Sequence, residues 1–185
     1  MIDKDVIAQR AAKILLDTKS VLFNVDEPFT LTSGKRSPIY IDCRRLISFP
    51  AERKQLMDDA AAMLLEATKD KPLDYLAGGE TAGIPYAAFI AERMEKPMLY
   101  VRKKPKGFAR NAQVEGDFKP GQRVVLIEDL TTDGASKVRF AQALRRSGLR
   151  VDHTVMLFFY DIFPETMRLL AEHELQLHAL ATWRD

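Results

Sequence analysis

The sequence predicts an α/β protein with a central, mainly parallel sheet flanked by helices. Two observations predict it. Stretches of strand length, "LDYLAG", "PMLYV", "RVVLIED" and "VDHTVMLFFYD", stay apolar with little alternation, as strands covered on both faces do. Amphipathic stretches of helical period lie between most of them, which is the pattern of a parallel sheet crossed by helices. With 185 residues, 46% of them apolar, the chain reads as one domain over 1–185 with a sizeable core. Its N-terminal helix and small extended elements occupy 1–50, and the α/β core 51–185.

From Ile2 to Thr18, the residues Val6, Ile7, Ala11, Ile14 and Leu15 share one helical face, predicting a first helix. The extended pieces "SVLFNV", "FTLTSG" and "SPIYID" follow, broken by Pro28, Gly34 and Pro38 as turns are. A second helix is predicted across "FPAERKQLMDDAAAMLLEATKD", where Leu56, Ala60, Met63, Leu64 and Ala67 recur at helical spacing. Then come the strand "LDYLAG", the helix "IPYAAFIAERME", the strands "PMLYV" and "RVVLIED", the helix "SKVRFAQALRRSG" and the strand "VDHTVMLFFYD". Gly148 after Arg145 and Arg146 suits a helix C-cap, with the cations at the negative end of the dipole. The tail "PETMRLLAEHELQLHALATW" reads as a last helix running into an edge strand.

Composition excludes several classes. There are 28 basic and 26 acidic residues, a net charge of +2, too balanced for a nucleic-acid or membrane-surface protein, so any basic site is local. Cys43 is the single cysteine and rules out an intramolecular disulfide framework. The N-terminus carries charges where a signal peptide needs an apolar region, and no run is long enough for a membrane span. A cytoplasmic protein is expected. His153, His173 and His178 lack metal-ligand spacing, and Trp183 is expected to pack an edge or an interface.

Open parallel sheets bind ligands beyond the carboxyl ends of their strands, which singles out three loops. In "AGGETAGIP", Gly78, Gly79 and Gly83 either let backbone approach a ligand or serve a tight turn. "VRKKPKGFARNAQVEG" gathers Arg102, Lys103, Lys104, Lys106 and Arg110 between Pro105, Gly107 and Gly116, and reads as a long lid. In "VVLIEDLTTDGAS", Val124 to Ile127 bury a strand whose exposed end is expected to carry Glu128 and Asp129. The following "TTDGAS" leads into a helix, where amides and the Thr131, Thr132 and Ser136 hydroxyls can surround a phosphate. A sugar phosphate offers hydroxyls to the carboxylates and an anion to the helix end, and a second anionic group would suit the basic lid. 5-Phosphoribosyl 1-diphosphate has all three features.

The acidic pair and small-residue loop resemble the diphosphate-sugar motif of the type I phosphoribosyltransferases. "FTLTSGKRSPIYID", "AGGETAGIP" and "YVRKKPK…VEG" extend the resemblance, in order, to the orotate phosphoribosyltransferases. The resemblance implies a type I phosphoribosyltransferase fold with a small N-terminal hood over the base. It implies transfer of the phosphoribosyl group to orotate, giving orotidine 5'-monophosphate and pyrophosphate in pyrimidine biosynthesis. Magnesium, carried by the substrate diphosphate with no direct protein ligand, and a homodimer whose basic loop reaches the partner's site are implied as well.

By the same resemblance, Arg102, Lys103 and Lys106 would bind pyrophosphate, and Glu128 and Asp129 would hold the ribose hydroxyls directly or through the magnesium shell. Lys106, Asp129 and Arg102 are the implied catalytic residues. Leu130, Thr131, Thr132, Asp133, Gly134, Ala135 and Ser136 would hold the 5-phosphate, with Thr132 also near the orotate. Tyr40 would contact the base, and Thr81 and Ala82 the diphosphate. The chain departs from the family where Lys is frequent at Thr32 and Ala82, and where a His-Gly pair is usual at Phe108 and Ala109. It also has Ile162, after Asp161, where an arginine commonly meets the orotate carboxylate. That anchor is unassigned, with Lys35 and Arg36 as candidates. A different acceptor base, such as a purine, and a non-catalytic regulator that binds the sugar diphosphate remain the alternatives.

Overall fold

A computed structural model describes residues 2–31, 34–107 and 112–185. Helix α1 (Lys4–Asp17) starts where the Asp3 carboxylate accepts from the amides of Asp5 and Val6 at 3.1 and 3.3 Å, satisfying donors that a helix start leaves open. It buries Ile7, Ala11, Ile14 and Leu15, four of the five residues that predict it. Short strands β1 (Val21–Phe23), β2 (Phe29–Thr30), β3 (Arg36–Ser37) and β4 (Ile39–Ile41) form two antiparallel ribbons, β1 with β4 and β2 with β3. A 3-10 helix over Cys43–Ser48 follows, in a segment for which the sequence predicts no element.

The core then alternates as expected through α2 (Pro50–Ala67), β5 (Tyr75–Gly79), α3 (Gly83–Arg93), β6 (Met98–Val101), β7 (Val114–Glu115), β8 (Arg123–Thr131), α4 (Ala135–Arg146), β9 (Arg150–Phe159), α5 (Pro164–Glu172) and β10 (Gln176–Thr182). Among the described residues the main sheet has the order β10-β9-β8-β5-β6-β7 and is parallel except where β7 runs antiparallel to β6. Strand β7 is a correction: it lies inside the stretch read as one lid, because Tyr100 and Val101 at the open edge of β6 pair with Glu115 and Val114. Gly116 follows at φ +114, a backbone that side chains rarely adopt.

One buried cluster lies under α1, α2 and α3 and includes Leu56, Met57, Leu76, Tyr86 and Ile127. A second lies under α4 and α5 and includes Leu126, Phe140, Leu144 and Leu170. Consecutive residues of β8 thus face opposite cores, which explains why its sequence is apolar without alternation. The parallel strands β5, β6 and β8 all end on one side, so the three chemically unusual loops converge there.

At the other end of the sheet, His153 of β9 and His178 of β10 sit with Nδ1 and Nε2 3.0 Å apart. Burial holds His178 down to about 4 and also lowers His153. Their neutral forms are therefore favoured by folding, so the stability they contribute is full above about pH 6.5 and is lost as pH falls toward 4. Thermal melts across that window should show the wild type losing stability more steeply than His178→Gln. Parallel curves would remove the pair from the account.

Candidate active site

Strand β8 carries its apolar residues to Ile127 and continues through Glu128 and Asp129 to Thr131. The two carboxylates are buried, at 6% and 8% exposure, where the sequence reading puts them at an exposed strand end. The strand extends because β9 keeps pairing with it, Leu130 opposite Phe158 and Thr131 opposite Phe159. Burial is tolerated because Lys137, in the first turn of α4, folds back so that its Nζ donates to Glu128 Oε2 at 2.9 Å, both side chains less than a tenth exposed. Burial still pushes the Glu128 carboxyl pKa above its ordinary value, against the opposing pull of Lys137. Glu128 Oε1 has no hydrogen-bond partner among the described residues and lies over the β5–α3 turn.

That turn explains the glycines. A Cβ on Gly79 would overlap Glu128 Oε1, one on Gly83 would overlap the Ile127 carbonyl, and one on Gly78 would overlap the backbone of residues 83 and 84. All three admit neighbouring protein closely.

After β8 the chain turns sharply into α4. Gly134 is the N-cap at φ +76, its amide donates to Thr131 Oγ1 at 3.1 Å, and the Ala135 amide donates to Asp133 Oδ1 at 3.1 Å. The Thr132 carbonyl is pinned from outside by Thr166 Oγ1 at 2.7 Å. The loop is thus preformed at the positive end of a twelve-residue helix, the geometry that favours an anion. Ser136 lies inside that first turn, its hydroxyl 3.2 Å from Lys137 Nζ.

These elements border a cleft of about 720 Å³. Glu128, Asp129, Leu130, Thr131, Thr132, Asp133, Ala135 and Ser136 line it, with Thr81, Ala82, Lys103 and Tyr40. Gly134 turns the loop without lining the cleft. Tyr40 packs on Phe29 with ring centres 5.6 Å apart, and burial raises its hydroxyl pKa. Arg102 and Lys106 lie elsewhere: Lys106 Nζ is 2.6 Å from Glu115 Oε1, and Arg102 Nη1 is 3.9 Å from it. Lys35 pairs with Glu165 at 2.9 Å and rests over the Phe163 ring, and Arg36 donates to the Pro28 carbonyl at 3.3 Å. Neither borders the cleft. Thr32, Phe108, Ala109 and Arg110 lie outside the described residues.

Sequence reasoning misses Lys137, Arg44 and Tyr160, which also line the cleft. A signal for Lys137 exists in hindsight: a lysine in a helix's first turn opposes the dipole and needs an acid nearby. Cys43 is buried, and its thiol pKa is raised mainly by burial, in keeping with a structural role. Trp183 packs edge-on against Phe158 and Tyr160, at the sheet edge as expected.

No protein-family model matches the chain. Its similarity to known proteins is nevertheless extensive. It is 55% identical over 179 residues to an orotate phosphoribosyltransferase of Ruegeria sp. (strain TM1040), covering 97% of this chain and 79% of that protein. It belongs to the orotate phosphoribosyltransferase family. The structure of the Aeropyrum pernix orotate phosphoribosyltransferase superposes with a TM-score of 0.77 at 34% identity, covering 94% of this chain and 93% of that one. Leishmania donovani UMP synthase superposes with a TM-score of 0.78 at 36% identity over 94% of this chain, which spans 36% of that longer protein. The fold is therefore the type I phosphoribosyltransferase fold that the motifs imply.

Within this family member the ion pair of Glu128 and Lys137 makes a definite demand. Lys137→Met should leave a buried carboxylate unpaired and cost about 3–5 kcal/mol in urea unfolding. Adding Glu128→Gln should recover part of that loss. A single variant as stable as wild type would contradict the assignment.

Proposed function

We propose that this family member transfers the phosphoribosyl group of 5-phosphoribosyl 1-diphosphate to orotate, giving orotidine 5'-monophosphate and pyrophosphate for pyrimidine biosynthesis. The observation that carries the reading is the end of β8, where a carboxylate pair and a preformed helix-start loop share one cleft. The loop from Thr131 to Ser136 suits the 5-phosphate, and Asp129, with Oδ2 toward the cleft beside Arg44, suits the ribose hydroxyls. Glu128 is committed to Lys137 and acts by fixing this wall. Thr81, Ala82 and Lys103 face the same space and suit the diphosphate, while Tyr40 offers a ring to the base.

In the transfer, the bond between ribose C1 and the diphosphate oxygen breaks as a bond to orotate N1 forms, N1 having given up its proton. Positive charge develops on the ribose ring and negative charge on the leaving diphosphate, so groups that complement this separation lower the barrier. Lys103 of this chain, with Arg102 and Lys106 carried on a second copy's loop, would meet the leaving group. The chain's main contribution is alignment.

The donor set fits magnesium that arrives with substrate. Asp129 borders the cleft beside the anion-favouring loop, and Mg²⁺ commonly takes one or two carboxylates plus substrate phosphates. Bound there, it would supply charge neutralisation for the diphosphate; Asp129 is the carboxylate placed to meet its water shell.

A homodimer and a cytoplasmic location complete the reading. Phe23 and Val25 are 66% and 78% exposed, an apolar patch that a second copy would cover. Arg102 and Lys106 lie off this chain's own cleft, as a loop serving a partner's site would. No helix among the described residues is long and apolar enough to cross a membrane, and Cys43 is a free, buried thiol.

Pyrophosphate release from the sugar diphosphate, magnesium and orotate tests the activity. Turnover is expected, with Lys106→Ala slower by about 100-fold or more at unchanged melting temperature. Turnover with adenine or hypoxanthine and none with orotate would favour the purine alternative. For the dimer, mixing inactive Lys106→Ala with inactive Asp129→Asn should restore activity to about a quarter of wild type, since half the random dimers carry one intact composite site. No recovery after subunit exchange would place the loop in its own chain's site.

A further inference from the structure

We propose that Arg44 is the residue that recognises the acceptor's carboxylate, a role that rests on the orotate reading above. The cleft has two kinds of wall. One is the acidic strand end and the anion-favouring loop. The other is formed by Leu31, Tyr40 and Tyr160, an apolar and aromatic surface suited to a flat base. A base bearing a carboxylate needs a cation on that second side. The family position for it is Ile162, an exposed apolar side chain, and the preceding Asp161 is tied to Arg184 at 2.9 Å.

Among the described residues five cations line the cleft: Arg44, Lys103, Lys104, Lys137 and Arg139. Lys137 is buried on Glu128. Lys103 and Lys104 follow β6, and the Lys103 charge acts on Glu128 at the donor end. Arg139 belongs to α4, beyond the anion loop. Arg44 comes from the 3-10 helix just after Tyr40, and its charge acts on the Tyr40 hydroxyl. Its Nε lies 3.5 Å from Asp129 Oδ2 with the side chain 64% exposed. No other partner of its guanidinium is seen among the described residues, so the Nη pair is open to a carboxylate in the fork geometry that arginine favours. Asp129 would thus serve both substrates, facing the ribose and orienting the arginine that holds the base.

Steady-state kinetics of Arg44→Gln and Arg44→Lys test this, with uracil as the acceptor analogue that lacks the carboxylate, used as substrate or competitive inhibitor. Arg44→Gln should raise the KM for orotate by about tenfold or more, as loss of a hydrogen bond to a charged group does. The KM for the sugar diphosphate and the affinity for uracil should stay within about twofold. Arg44→Lys should recover part of the orotate affinity, and both variants should melt with wild type because the side chain is exposed. An unchanged orotate KM, an equal loss for uracil, or a loss falling chiefly on the sugar diphosphate would overturn the proposal. Wild-type protein inactive with orotate would instead overturn the activity on which it rests, whereas active wild type with an indifferent Arg44→Gln overturns the role of Arg44 alone.

Discussion

The site depends on one buried charge. Glu128 is the point where a strand that spends its length between two apolar cores must begin to do polar chemistry. Taking a carboxylate out of water costs several kcal/mol unless a partner is buried with it, and Lys137 is that partner. Because Lys137 stands in the first turn of α4, the pair ties the helix start to the strand end and fixes the intervening loop, which Thr166 braces from α5. Gly79 and Gly83 are required by the same carboxylate, since a side chain at either would collide with it or with the strand beside it. The ion pair ties the start of α4 to the end of β8, and the β5–α3 turn, already paired to β8 through β5, packs on the same carboxylate; the cleft is what their ends leave open.

The second wall is attached by tyrosines. The Tyr160 hydroxyl accepts from the Ile41 amide at 3.1 Å, and burial pushes its pKa up to about 12. The Tyr86 hydroxyl donates to the Cys43 carbonyl. Two hydroxyls from the α/β core therefore pin backbone on either side of Asp42, just after Tyr40 and just before Arg44. The pairing of Lys35 with Glu165 adds a tie between the N-terminal ribbon and α5. This anchoring is what lets a small appendage, with little core of its own, bring Tyr40 and Arg44 to the cleft that the β8–α4 loop borders.

The core elements were legible because parallel strands and their helices advertise themselves by apolar run length and by period. β7 and the 3-10 helix were not: one is two residues long and exists by pairing with an edge strand, the other by the local turn that Asp42 initiates. Motif residues on the β8–α4 loop were found because they are contiguous. Lys137 escaped because its partner is nine positions away across a turn, and Arg44 because nothing local distinguishes it from Arg45, which instead donates to the Thr18 carbonyl at 2.7 Å. The side chains of Arg102 and Lys106 were identifiable as a basic loop, but their pairing with Glu115 is a property of the β6–β7 ribbon.

The end of β8 and its loop are the proposed seat of the sugar diphosphate, and amide hydrogen exchange reads this at the residues concerned. Adding 5-phosphoribosyl 1-diphosphate with magnesium should slow exchange across the peptide from Leu130 to Lys137, while the His153 and His178 end of the sheet stays unchanged. Saturating donor that leaves 130–137 at its unliganded rate, or protects only segments away from the cleft, would contradict the account.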